Sequence, residues 1–288
     1  MKAYIDIVKK ILGEGAEKPN RTGITTIAVP GIMFEHDMEQ GFPLLTTKQV
    51  PFRLVFSELE FFLKGLTDKN WLIGNNNHIW DEWASPEKVP YGHDEETKKR
   101  MKEERDLGPV YGWQWRHFGA GYISHDKPAE GKGIDQLKAM IDTIRTDPSN
   151  RRLIVSAWNP VDLPKMALPP CHYSFQVTII ADKLNLLWNQ RSVDVALGLP
   201  FNIASYGLLL HLIARETNYK EGKLVGFLAD THIYSNHIQG LKEQIARKPF
   251  PLARIRTEPF TSLFDWKYQD TLLEDYQCHP KIPFEVAV

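Results

Sequence analysis

Two prolines stand immediately before a cysteine in Ala167-Leu168-Pro169-Pro170-Cys171-His172. They fix the backbone approach to Cys171 and remove two amide donors. The cysteine reads in two ways. It is either a small buried hydrophobe or a thiolate nucleophile, and a thiolate needs nearby positive charge to lower its pKa. His172 is adjacent, but neighbouring strand residues face opposite ways, so the activating cation must come from elsewhere in the chain. Arginines stand in suggestive places. Arg21 lies in an Asn-Arg-Thr-Gly turn, Arg151 and Arg152 follow Pro148-Ser149-Asn150, and Arg191 sits between Gln190 and Ser192. Any one of them alone reads as a surface ion pair. Together they offer several planar forks, the geometry that grips a phosphate dianion.

Further polar groups interrupt apolar surroundings. Asn202 follows Leu197-Gly198-Leu199-Pro200 at the start of an apolar helix. It is either a helix cap or an amide able to pair with the donor and acceptor edge of a pyrimidine. His232 and Tyr234 alternate onto one face of a strand, as donors to a sugar hydroxyl or as satisfied core groups. Glu58 lies within a hydrophobic helix, a costly position for a carboxylate unless function requires it. No glycine-rich dinucleotide fingerprint and no phosphate loop is present, so no NAD is expected. His232 and His237 are five apart and neither cysteine belongs to a CxxC pair, so no metal is expected either.

These groups need a scaffold. The 288 residues carry a net charge of −1, too little for a field that holds nucleic acid or anionic lipid. Polar residues break every apolar run near the N-terminus, which argues against a signal peptide or membrane helix. Cys171 and Cys278 suit a reducing compartment, and the chain is expected in the cytoplasm. Tyr4, Ile7, Val8 and Ile11 recur at helical spacing, and helices are also expected over residues 52–63, around 137–144, from Ile203 to Ile213 and over 235–247. Strands are expected at residues 25–29, 32–38, 153–157, 173–180, 184–188 and 223–228. Strands and helices mix without regular βαβ alternation, so the fold class is α+β, one domain over residues 1–288. Residues 85–106, with the run Asp94-Glu95-Glu96-Thr97-Lys98-Lys99-Arg100, read as a solvated surface insertion without a core-forming stripe.

Taken together, the segments resemble the thymidylate synthase family. The resemblance runs through Asn20-Arg21-Thr22-Gly23, Gly41-Phe42-Pro43-Leu44-Leu45-Thr46-Thr47-Lys48 and Ile79-Trp80-Asp81-Glu82-Trp83-Ala84. It continues through Leu107-Gly108-Pro109-Val110-Tyr111-Gly112, the Pro-Pro-Cys-His segment, residues 190–206, and Asp230-Thr231-His232-Ile233-Tyr234. It implies a large mixed or antiparallel sheet covered by helices, with one sheet face forming a homodimer interface. It also implies reductive methylation of dUMP to dTMP with 5,10-methylenetetrahydrofolate as one-carbon and hydride donor. A dUMP 5-hydroxymethylase of the same family is the alternative, in which water traps the one-carbon intermediate. A non-catalytic nucleotide- or RNA-binding protein is a third class, which the near-zero net charge does not favour.

By the same resemblance, Cys171 is the nucleophile, with Glu58, Tyr111, His172, Arg191 and Asp194 in the catalytic set. Arg21, Gln190, Arg191, Ser192, Asn202, His232 and Tyr234 would hold the nucleotide, with Arg151 and Arg152 reaching its phosphate from the partner subunit. Lys48, Ile79, Trp80, Trp83, Asp194, Leu197, Gly198, Phe201 and Ala287 would hold the folate. Some positions depart from the family pattern. Asn189 stands where tyrosine is common, Ala196 for phenylalanine, Leu228-Ala229 for Gly-Gly, Gln49 for arginine and Trp113 for lysine. These departures bear on folate-tail affinity and pocket packing.

Overall fold

A computed structural model describes residues 1–20 and 23–285. Its frame is a six-stranded sheet of β1 (Ala16–Lys18), β2 (Thr26–Asp37), β3 (Ile154–Ser156), β4 (His172–Ile180), β5 (Lys183–Asp194) and β6 (Lys220–Tyr234), in the order β1-β2-β6-β5-β4-β3. Only β5 and β6 run parallel; the other neighbours are antiparallel. A parallel pair needs a crossover, supplied here by α7 (Gly198–Thr217). The α+β expectation of a mixed sheet is met. Residues 25–29 and 32–38, expected as two strands, form the single strand β2. Its register against β6 continues from Thr26↔Tyr234 to Asp37↔Lys223 on both sides of Pro30 and Gly31. Beyond β1, β2 is an edge strand, the position in a sheet where a proline does least harm.

The most consequential difference is strand length. β5 continues six residues past Trp188, and β6 continues to Tyr234 rather than ending at Leu228. The extensions are polar, so they lack the apolar alternation that marks the rest of each strand. Their register sets Ser192 opposite Asp230 and Asp194 opposite His232, which brings two distant polar segments together at one end of the sheet.

Helices α1 (Lys2–Glu14), α2 (Phe52–Leu63) and α6 (Gln136–Thr146) form where apolar spacing places them. α1 buries Tyr4, Ile7, Val8 and Ile11. α7 lies at the centre of the core and buries residues on every side, ending at Asn218 in a left-handed conformation. It starts at Gly198, so Leu197-Gly198-Leu199-Pro200 is its first turn and not a turn ahead of it. Pro200 is tolerated there because first-turn amides have no intrahelical partner. Asn202 therefore lies inside the helix and is not its cap. The Asp194 carboxylate instead accepts from the N–H groups of Ala196 (2.9 Å) and Leu197 (3.2 Å).

Short elements complete the molecule. They are α3 (Asn70–Gly74), α4 (Glu95–Glu103), α5 (Gly112–His117), α8 (Ile238–Ala246) after a 3-10 turn at Ser235–His237, and the pair β7 (Arg254–Thr257) with β8 (Thr271–Glu274). Residues 85–106 are less solvated than their charge suggests. Asp94 caps α4, and Met101 is buried against Ala84 and Val89 in a satellite core. The segment is tied down by the buried Lys69, whose ammonium donates to the carbonyls of Asp81, Trp83 and Met101. The main apolar cluster runs unbroken from Tyr4 to Tyr268. The sheet face turned away from it exposes Met33 (62%) and Phe227 (43%), which pair across β2 and β6. Among the described residues, no helix is long and apolar enough to cross a membrane.

Candidate active site

At the carboxyl ends of the parallel pair β5 and β6 opens a cavity of about 580 Å³. Ligands in mixed α/β sheets favour that end of parallel strands, and the volume falls within the roughly 300–1,000 Å³ of small-molecule sites. Cys171 lines it from the loop that enters β4. Its backbone N–H donates to the Tyr111 hydroxyl at 2.8 Å, and its carbonyl accepts from the Arg191 N–H at 2.8 Å. The Arg191 guanidinium donates to the carbonyls of Pro170 (2.9 Å) and Pro169 (2.8 Å), so the two residues before Cys171 present acceptors to a cation that lines the same cavity. This is the charge that His172 does not supply. Buried and without a charged partner, His172 is pushed down to about 3 and stays neutral; its Nδ1 pairs with the Tyr206 hydroxyl at 2.9 Å.

Tyr111 immediately precedes α5 with φ +21°, a conformation L residues rarely adopt. Backbone strain of this kind collects at functional sites. Gly112 beside it lets α5 touch α2: a Cβ there would meet the Phe62 carbonyl oxygen at 2.4 Å. The Tyr111 ring packs against both His172 (centroids 4.5 Å) and Phe62 (4.9 Å). Burial, and then the neighbouring Cys171, hold its hydroxyl well above the usual phenol range, so it remains protonated.

Amides line another wall. Gln190 is buried, and its Nε2 donates to the Asn202 Oδ1 at 2.9 Å and to the Ser192 carbonyl at 3.1 Å. With Oδ1 engaged, Asn202 has its NH2 group as the edge available to a ligand. His232 and Tyr234 do share a face of β6 at the cavity, with rings 5.4 Å apart and nearly perpendicular. His232 Nδ1 lies 3.2 Å from the Asp230 carbonyl oxygen.

The remaining wall is more apolar. Ile79, Trp80, Trp83, Leu197, Gly198 and Phe201 line it, with Asp194 at its edge. Glu58 faces the same space from α2 and accepts from the Trp80 indole at 2.8 Å. Burial raises its carboxyl to about 7, against the smaller opposing effect of that hydrogen bond. A carboxyl half ionised near neutrality can both give and take a proton.

Other expected site residues lie elsewhere. Arg151 and Arg152 are exposed on the turn before β3 and do not line the cavity of their own chain. Lys48 is buried outside it; its ammonium donates to the Ala196 carbonyl (2.5 Å) and sits 4.6 Å from the Phe284 ring. Burial lowers Lys48 to about 8 despite the nearby Asp194. Arg21 and Ala287 fall outside the described residues. Conversely, Lys18, Asn20, Thr26, Phe62, Leu168 and Asp230 line the cavity without having been singled out. Phe62 was signalled by its spacing, four residues after Glu58 on one helix face. The Lys18–Asp230 ion pair joins β1 to β6 and has no local signature. Among the described residues, no group of three His, Cys, Asp or Glu is placed to hold a metal ion.

Residues 2–288 match the family described as Thymidylate synthase. The chain is also 44% identical over 285 residues to a bifunctional dihydrofolate reductase-thymidylate synthase of Paramecium tetraurelia. That match covers 99% of this chain and 61% of the relative, so the chain spans about three-fifths of that protein's length.

Proposed function

The chain belongs to the thymidylate synthase family, and from that premise we propose that it methylates dUMP to dTMP with 5,10-methylenetetrahydrofolate, releasing dihydrofolate. The observation that carries the reading is convergence: one cavity gathers the Cys171 thiol, the Arg191 cation, the Asn202 amide and the His232–Tyr234 pair. In this reading the Cys171 sulfur adds to carbon 6 of the uracil, and carbon 5 becomes an enolate carbon. Negative charge then builds on the carbon-4 oxygen, where the Asn202 NH2 donates. Arg191 supplies the positive charge that a thiolate nucleophile needs and, with Ser192, holds the phosphate. His232 and Tyr234 meet the ribose hydroxyl. Glu58 relays protons at the pyrimidine, while neutral His172 and Tyr111 order its surroundings by hydrogen bonding.

The folate, when bound, supplies both the one-carbon unit and the hydride. The residues present suit it: the aromatic and aliphatic wall of Ile79, Trp80, Trp83, Leu197, Gly198 and Phe201 accepts a flat ring, and Asp194 accepts from a ring N–H. Lys48 supports this wall from beneath through Ala196 and would meet the folate tail only after leaving that carbonyl. Arg21 and Ala287 are assigned to the phosphate and the folate by sequence resemblance alone.

We assign the protein to the cytoplasm as a homodimer. The outward Met33–Phe227 pair, next to Asn189 in the register, is the apolar spot on this sheet face that a second copy would cover. The exposed Arg151 and Arg152 are then free to reach the other chain's phosphate site. The test separates chemistry from binding: Cys171→Ala abolishes turnover yet binds dUMP within a few-fold of the unaltered protein, and Cys278→Ala is nearly silent. An inactive Cys278 variant beside an active Cys171 variant overturns the assignment.

A further inference from the structure

Behind the amide wall lies a residue that touches no ligand position. Trp188 is fully buried on β5, two residues before Gln190 on the same strand face. Its ring stacks on Tyr206 with centroids 5.3 Å apart and planes 11° from parallel. Opposite it in the β5–β6 register stands Gly226, and a Cβ there would lie 2.5 Å from the indole ring. The absence of a side chain at 226 is what gives the indole its place. Filling that space needs only a ring or a branched chain. It does not need an N–H, yet the Trp188 Nε1 reaches the Gln190 Oε1 at 3.1 Å.

The chemistry of those two atoms has a consequence. An indole N–H only donates, so the oxygen of the Gln190 amide must face it. The other end of that amide meets the Ser192 carbonyl, which only accepts, so the NH2 must face there. Gln190 is thus fixed in one of its two orientations from both ends, and it imposes one on Asn202 by donating to its Oδ1. A flipped Asn202 would set NH2 against NH2. We propose that Trp188 is a positioning residue for base selectivity: through Gln190 it holds the Asn202 amide with its donor edge toward the cavity, where it matches a carbonyl at carbon 4 and opposes an amino group. The inference rests on the reading of the cavity as a pyrimidine nucleotide site. It makes discrimination between uracil and cytosine a property of binding as well as of rate.

Dissociation constants for dUMP and dCMP, measured on the unaltered protein and on Trp188→Phe, test it. Phenylalanine keeps a ring on Tyr206 and deletes the N–H, leaving a buried carbonyl oxygen without its donor. The expected result is a fall of about tenfold in the preference for dUMP over dCMP, with dUMP weakened and dCMP unchanged or tightened. If the phenylalanine variant does not fold, benzothienylalanine at 188, with sulfur in place of the N–H, keeps the shape and gives the same readout. Equal weakening of both nucleotides marks a packing role only and overturns the proposal, as does an unchanged ratio. An unaltered protein with no preference for dUMP overturns the nucleotide reading itself, a distinguishable result.

Discussion

Glu58 is a carboxyl held where an apolar side chain would be more stable. Its pKa rises from the ordinary 4.5 to about 7, chiefly through burial. Between those values the folded state binds more protons than the unfolded one, so stability falls as pH rises through that window. Above pH 7 the cost is fully present, and below pH 4.5 it is absent. Glu58→Gln is therefore expected to melt roughly 2–6 °C above the unaltered protein at pH 8, the gap closing by pH 4.5. The same variant should lose about 10²–10⁴-fold in kcat, because glutamine cannot exchange a proton. Melting curves and rates across pH 4.5–8.5 check both, and a gap that widens toward acid contradicts the burial argument. At this scale much was legible in the sequence. Cys171, Arg191, Asn202 and Glu58 stood out because their chemistry conflicts with their neighbours. The Gln190 orientation did not, since it depends on Trp188 and Ser192 lying against it in the fold.

Elements were legible where apolar periodicity had a core to face and illegible where a strand faced the cavity. Residues 189–194 form the end of β5, but Gln190, Arg191, Ser192 and Asp194 line the cavity and break the apolar alternation that marks the rest of the strand. The five residues of α3 and six of α5 are below the length at which a helix stands alone, so tertiary contact makes them. Gly198-Leu199-Pro200 imitates a turn because a first helical turn and a free turn share the same tolerance for proline. Two glycine substitutions separate contact from propensity. Gly112→Ala drives a Cβ into the Phe62 backbone, where nothing flexible can yield. It should cost about 1–3 kcal/mol and, by shifting Tyr111 from Cys171, lower kcat as well. Gly13→Ala, in α1 with nothing within 4 Å of the added Cβ, should instead stabilise by about 0.5–1 kcal/mol and leave kinetics unchanged. Denaturant titrations of the two variants check the contrast, and equal effects contradict it.

At the scale of the whole molecule, the proposed homodimer is tested at the exposed Met33–Phe227 pair and at the exposed Arg151 and Arg152. Phe227→Asp, placing a charge in that pair, should convert the proposed dimer to monomer in sedimentation and remove activity with it. The proposal that Arg152 serves the partner's site gives a sharper prediction. Cys171→Ala and Arg152→Glu are each expected to be inactive alone, yet a mixture that exchanges subunits should regain activity, because one of the two sites in a heterodimer is whole. No recovery in confirmed heterodimers means that both residues serve one site from one chain. The most direct measurement remains the identity of the product after incubation with dUMP and 5,10-methylenetetrahydrofolate. The enclosed wall of Trp80 and Phe201 should keep water from the reacting carbon, so the account predicts dTMP and dihydrofolate in equal amounts. Recovery of 5-hydroxymethyl-dUMP with tetrahydrofolate, or of unchanged dUMP, would contradict it.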